Sequence, residues 1–428
     1  MRSRTARRLR IAAASVAACL LGWKIAAFAM ADAMAAREPE DALEIVGAHP
    51  TAAASLIERR LAARPADVAG AAEEAARLIA RDPLAPGALS LLAAATALGG
   101  DMPRAERMFR VAAAHLPIDL VAHGALYDRA LASRDGAAAL AELDILLRAR
   151  PFLAPKLAGS VGRLLALGAD AETGFADLLA SAPPWRKQLV YHLSETIRDP
   201  AVLARIHGRL RGGRASPSDE ETRMLLERLL RDHDIDQAYL AWLDSLPPQR
   251  LAELGLLYNG RFQHPVANLP FDWQIASVRG AAASVTRSKG EGVLEVAFYD
   301  ARVPFQHVRH LLALPPGRYA FDGMESAENL ENERGLRWRI SCLDDPKGAL
   351  ATTPPLRGAQ PPRPFRMAFA VPAEGCGAQA LVLELPARIA SELQISGAVR
   401  YWRLDIERLP PASAAVAGDD EARASGRF

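Results

Sequence analysis

Apolar positions in the first half of this chain recur with a helical period. Leu89, Leu92 and Ala93 stand at i, i+3 and i+4, which puts them on one helix face, and Ala105, Phe109 and Ala112 repeat the pattern on a second helix. Between the two, Gly99-Gly100-Asp101 breaks the chain. Asp101 suits the N-cap of a helix that begins near Pro103, and Pro117, which has no amide proton to donate, stops it. The small side chains of Ala93 and Ala105 would let the two backbones approach closely. Pro83, Pro117 and Pro151 fall 34 residues apart, and Pro50 precedes them at a spacing of 33. The window 52–85 matches at Ala71, Ala75, Leu78 and Pro83, and the window 120–153 at Ala139, Leu143, Leu146 and Pro151, with His123 where a bulky apolar residue is expected. A half unit lies over 40–50. Such a period marks stacked helical units, the alternative being an irregular alanine-rich bundle.

The 34-residue spacing, with Leu89, Leu92, Ala93, Ala105, Phe109, Ala112 and Pro117 as its register, resembles the tetratricopeptide repeat. The resemblance implies a helical solenoid that binds a protein partner along an extended groove. Helical spacing continues to about residue 250. Ser218 followed by Glu221 gives a capping-box signal, and Ala238 and Trp242 stand four apart in a further degenerate unit. Residues 36–250 therefore read as one helical domain, clearest over 52–151.

After Pro247-Pro248 the period changes to two. Leu336, Trp338, Ile340 and Cys342 alternate with Arg337, Arg339 and Ser341, and Trp402, Leu404 and Ile406 alternate with Tyr401, Arg403 and Asp405. Further strand candidates are 293–298, 308–314, 318–323, 366–371 and 380–385, while the proline-rich stretch 347–364 reads as a loop. About eight to ten strands predict a β-sandwich. The landmarks Asn259-Gly260-Arg261-Phe262, Trp273, and Leu314-Pro315-Pro316-Gly317-Arg318-Tyr319 resemble the jelly-roll carbohydrate-binding modules over 255–409. If Trp338 and Trp402 point into the core, Arg337, Arg339, Tyr401 and Arg403 point outward. That surface would hold an acidic sugar through guanidinium forks and ring stacking, or be an ordinary solvated face.

The chain ends are distinctive. Arg2, Arg4, Arg7, Arg8 and Arg10 precede an apolar run from Ile11 to Ala31 interrupted by Lys24, the pattern of a retained basic flank followed by a segment that enters a bilayer. The expectation is a single-pass anchor over residues 1–35 in a bacterial inner membrane, with the bulk of the chain in the periplasm. The alternatives are release into the periplasm after cleavage at Ala27-Phe28-Ala29, or lipidation at Cys19. Residues 410–428, small and polar, read as a disordered tail. Cys342 and Cys376 form an even pair suited to a disulfide in an oxidising compartment.

The chain is thus expected to be multidomain, α followed by all-β. A formal net charge of +2 over 428 residues predicts no nucleic-acid partner. No GxSxG, HExxH, P-loop or dinucleotide motif occurs, so no cofactor, metal or catalytic residue is assigned. His307 and His310, three apart on a strand, would face opposite sides and read as surface histidines. By family analogy the expected role is that of a non-enzymatic envelope scaffold in exopolysaccharide synthesis or export, binding an envelope protein and an acidic polysaccharide. The rivals are a polysaccharide-modifying enzyme using Glu325 with Glu331 or Asp322, and a structural protein that binds only protein.

Overall fold

The computed structural model describes residues 2–63, 67–211, 213, 215–288 and 290–410, with side chains from residue 13. The tail expected from residue 410 lies, beyond its first residue, outside the described residues. Two compact units meet in sequence at Thr196 and Ile197.

The first unit is helical: α1 (Arg2–Met34), α2 (Pro39–Ile45), α3 (Pro50–Ala63), α4 (Val68–Arg81), α5 (Ala88–Leu98), α6 (Met102–His115), α7 (Leu120–Ala132), α8 (Gly136–Ala149), α9 (Ala154–Leu165), α10 (Ala169–Ala180) and α11 (Arg186–Thr196). Helices α4, α6 and α8 begin 34 residues apart. The reason is local and repeated. Asp67, Asp101 and Asp135 occupy the N-caps, and the last two accept from the amides of Arg104 and Ala138. Pro83, Pro117 and Pro151 each stand two residues past the helix end. Ala71, Ala105 and Ala139, one per helix, are completely buried, so a methyl group is all that separates these backbones from their neighbours. Four residues on, Ala75, Phe109 and Leu143 fill the space of the next turn.

Polar groups that enter this interior are paired. His123 is buried because its Nδ1 lies 2.6 Å from Oε2 of Glu142. The Tyr127 hydroxyl lies 3.0 Å from Ser160 Oγ, and Trp185 Nε1 donates to Asp144 at 2.9 Å. At the start of the unit, Ala31 and Ala35 of α1 and its C-terminal extension join Ala42 and Ala52 in a small alanine core.

The second unit opens with α12 (Ala201–Leu210), α13 (Asp219–Arg231), α14 (Ile235–Ser245) and α15 (Pro248–Leu251). The capping box at Ser218 and Glu221 is formed at the start of α13. These helices, read from sequence with the helical domain, belong to the same compact unit as the strands. Trp242 packs on Tyr258 and Phe271, Tyr239 on Phe271, and Ile235 lies against Gly377. Aromatic burial of this size outweighs the continuity of helical sequence.

The strands are β1 (Trp273–Ile275), β2 (Ala281–Ser288), β3 (Glu291–Arg302), β4 (Val308–Leu312), β5 (Gly317–Glu331), β6 (Arg337–Cys342), β7 (Ala351–Thr352), β8 (Gly358–Val371), β9 (Gln379–Glu384) and β10 (Gln394–Arg408). They form a two-sheet antiparallel β-sandwich, one sheet ordered β1-β4-β9-β6-β7 and the other β2-β3-β10-β5-β8. Trp273, Trp338, Tyr319, Phe321 and Tyr401 fill the space between the sheets. Cys342, at the end of β6, is bonded to Cys376. The proline-rich stretch is not one loop: it contains β7 and the first half of β8. Pro361, Pro362 and Pro364 are tolerated there because β8 is an edge strand, where a missing amide donor breaks no second ladder.

His310 is not a surface residue. It faces the core from β4, stacked edge-on against Trp273, with Nδ1 2.7 Å from the Leu311 carbonyl and Nε2 3.2 Å from that of Tyr258. Burial lowers its pKa from 6.5 to about 4, the two carbonyls pulling the other way. Between those values the unfolded chain binds a proton that the folded chain does not. Its contribution to stability is complete above pH 6.5 and is lost as the pH falls towards 4, about 3 kcal/mol in all. Relative to His310→Leu, the wild-type chain is therefore expected to lose about that much stability between neutral pH and the bottom of this window; denaturant unfolding of both proteins across it checks the difference.

Candidate functional site

The structure does not bring Arg337, Arg339, Tyr401 and Arg403 onto one surface. Arg337 and Arg339 point outward from β6 in the first sheet, and both reach Glu384 on β9, Arg337 Nη2 and Arg339 Nε each at 2.8 Å. Tyr401 and Arg403 lie on β10 in the second sheet, whose outer face is turned the opposite way. Tyr401 points inward and is completely buried between Trp338 and Phe365, where burial holds its hydroxyl well above the ordinary tyrosine pKa.

The cause is a β-bulge. Arg403 has φ 54°, and the register of β10 against β5 shifts between Trp402 and Asp405. Leu404 and Ile406 face the core, but the extra residue reverses the alternation before it. Tyr401 and Val399 therefore also face inward, and Trp402 is put outside. The bulge is held by the segment beside it: the Leu404 amide donates to the Gly260 carbonyl at 3.1 Å. Gly260 is required there, since a Cβ would stand 2.1 Å from the Leu404 oxygen. Arg403 itself pairs with Glu291 at 2.6 Å.

The outer face of the second sheet then reads in rows. Ala282, Ala297 and Ala398 lie side by side across β2, β3 and β10, with Glu328 of β5 next to them. Ser284, Glu295, Arg400 and Ser326 form the next row, in which Arg400 bridges Glu295 (3.1 Å) and Glu328 (2.5 Å). Beyond it Trp402, half-buried, stands opposite Met324. At the other end of β3, Tyr299 is 65% exposed. From Val293, beside Trp402, to Tyr299 is about 20 Å at roughly 3.3 Å per residue. The face is a shallow floor of methyl groups with a guanidinium–carboxylate bridge in the middle and an aromatic ring towards each end. Rings of this kind stack on flat apolar surfaces, and the bridge offers both donors and acceptors to hydroxyl groups.

Beside the bulge lies a cavity of about 210 Å³ lined by Glu253, Arg261, His264 and Asp405, with His264 Nε2 2.6 Å from Glu253. The acids considered for catalysis do not converge. Glu325 faces inward and pairs with Arg363 at 2.9 Å, burial raising its pKa, while Asp322 faces outward beside Arg366 and Glu331 is exposed at the strand end. Among the described residues no group of three or more His, Cys, Asp or Glu side chains is placed to hold a metal.

No family model matches the chain, and no curated protein matches it. Solved structures do. A carbohydrate-binding module described as CBM4 is 14% identical, with a TM-score of 0.27, covering 36% of this chain and 99% of that one. A sugar-binding protein from Bacteroides thetaiotaomicron, described as putative, is 10% identical at the same TM-score, covering 36% of this chain and all of that one. A carbohydrate-binding module of Cellvibrio mixtus lichenase 5A, in complex with cellotriose, is 12% identical with a TM-score of 0.21, covering 32% and 93%.

Because Gly260 props the bulge, Gly260→Ala is expected to cost the second unit about 1–3 kcal/mol by overpacking against the Leu404 carbonyl. Denaturant titration followed by tryptophan fluorescence measures it, and an unchanged midpoint would contradict the role given to this glycine.

Proposed function

We propose that the chain is a non-enzymatic scaffold of the cell envelope, anchored in the membrane by α1, whose sandwich binds a polysaccharide along the outer face of the second sheet. Its helical hairpins, of tetratricopeptide type, recruit an envelope protein, and the process served is exopolysaccharide synthesis or export. The observation that carries the reading is Trp402. A tryptophan turned away from a core that already holds Trp273 and Trp338 keeps part of its ring open to solvent and is suited to stacking on a sugar ring. Around it Glu295 and Glu328 outnumber Arg400, which favours a neutral glycan.

Anchoring is supported by α1, where Ala13–Met34 is long and apolar enough to cross a membrane and is unburied apart from its last turns, where Ala31 joins the alanine core. Phe28 also stacks on His49, ring centroids 4.6 Å apart, a contact that cleavage after Ala29 would remove. A second reading, an acidic glycan, is favoured by the outer face of the first sheet, where Arg337 and Arg339 hold Glu384 and Arg309 projects opposite Val382 on the same strand.

Titration of the full chain with neutral and acidic polysaccharides separates the two. Trp402→Ala is expected to weaken binding of a neutral polysaccharide by about 2 kcal/mol, roughly 30-fold, while leaving the fold intact. Binding confined to acidic glycans and lost in an Arg337→Gln/Arg339→Gln variant would select the other face. Absence of binding to any glycan, with an envelope protein still captured, would leave a protein-binding scaffold alone.

A further inference from the structure

The first unit holds a cavity of about 590 Å³ among α2, α3 and α4. Leu43, Leu56 and Leu78 give it an apolar floor, and its rim carries Arg59, Arg60, Arg77 and Arg81 against Glu40 and Glu74. Cationic charge is therefore in excess around a greasy hollow. Arg60 is paired with Glu74, Arg59 lies 3.7 Å from Glu40, and Arg77 lies 4.0 Å from Glu73 in an exposed pair, so four arginines face three carboxylates and Arg81, one helical turn beyond Arg77 on α4, carries the surplus charge.

Its position relative to α1 indicates what could reach it. The apolar span Ala13–Met34 has 22 residues, about 33 Å at 1.5 Å per residue, close to the roughly 30 Å of a bilayer's hydrocarbon core. Phe28 and Ala31, near the end of that span, already pack on His49, Ala42 and Ala52, so the last turns of α1 leave the hydrocarbon and the residues just past Met34 stand on its headgroup side. Arg59 Nη2 donates to the carbonyls of Ala36 (3.3 Å) and Arg37 (2.6 Å), two and three residues past that helix end, so the rim of the cavity lies at the same depth. The Phe28–His49 stack and the alanine core hold the start of α3 beside α1.

We propose that this cavity binds the phosphate headgroup of an anionic membrane lipid, the guanidinium groups taking the phosphate and the leucines its apolar glycerol side. The proposal rests on the reading of α1 as a membrane anchor. An acidic protein segment would suit the charge equally, but the depth favours the lipid.

The test uses the full chain reconstituted into vesicles of phosphatidylcholine with phosphatidylglycerol, then extracted in mild detergent, with retained lipids counted by native mass spectrometry. The wild-type chain is expected to keep phosphatidylglycerol in preference to phosphatidylcholine. Arg77→Gln/Arg81→Gln is expected to lower that retention about fivefold per charge removed. Arg104→Gln/Arg107→Gln on α6 is expected to leave it unchanged. Equal retention of both lipids by the wild-type chain, or an equal fall in the α6 variant, overturns the proposal. So does displacement of the lipid by inorganic phosphate alone, which would assign the site to the free ion. An alkaline wash distinguishes the two levels: a chain that leaves the vesicles removes the anchor and this inference together, whereas a chain that stays but shows no lipid preference removes only the inference.

Discussion

One residue in the left-handed region, Arg403, determines what the sandwich presents to its surroundings. Because side chains alternate strictly along a strand, a single inserted residue exchanges the inner and outer sets on one side of it. In β10 the exchange sends Tyr401 into the core, where Trp338 and Phe365 receive it, and brings Trp402 out beside Met324. Gly260 makes this possible by bringing another backbone alongside, and the carboxylate of Glu291 anchors the displaced arginine. Core packing, the loop that opens the sandwich and the character of the outer face all follow from that local departure.

The first unit is governed by a different kind of repetition. Helices α6 and α8 begin where an aspartate caps them and end just before a proline that forbids continuation, so their spacing is set by the chain itself before any packing occurs. Buried alanines at the same point of each period then let the hairpins close on one another. Positions that depart from the pattern do so in pairs. His123 is acceptable because Glu142 comes with it, and Trp185 because Asp144 takes its indole proton.

This contrast explains what could be read from the residues alone. Helix starts and stops depend on a few neighbouring residues, so Asp101, Pro117 and the register around Phe109 were legible. The outward direction of Arg337 and Arg339 was legible too, because β6 alternates without interruption. That β6 and β10 belong to different sheets depends on pairings between distant segments and leaves no local trace. Trp402 escaped for a subtler reason: its neighbours Leu404 and Ile406 do face the core, and only a backbone torsion between them and it breaks the inference. His310 was concealed by its own polarity, since nothing nearby in sequence announces the carbonyl of Tyr258 that receives it. The grouping of α12–α15 with the strands likewise rests on Trp242 meeting Phe271, a contact invisible to helical periodicity.

The bond between Cys342 and Cys376 joins the last residue of a central strand to the loop on which Ile235 rests. Disulfides persist where the surroundings are oxidising and are kept open where they are not. A molecule of this chain therefore carries a chemical record of where it folded: two thiols if it never left the reducing side of a membrane, one closed ring of chain if it did. Within the second unit that ring runs from the end of β6 through β7 and β8 to the segment before β9, so closing it ties an inner strand of one sheet to the edge strand of the other.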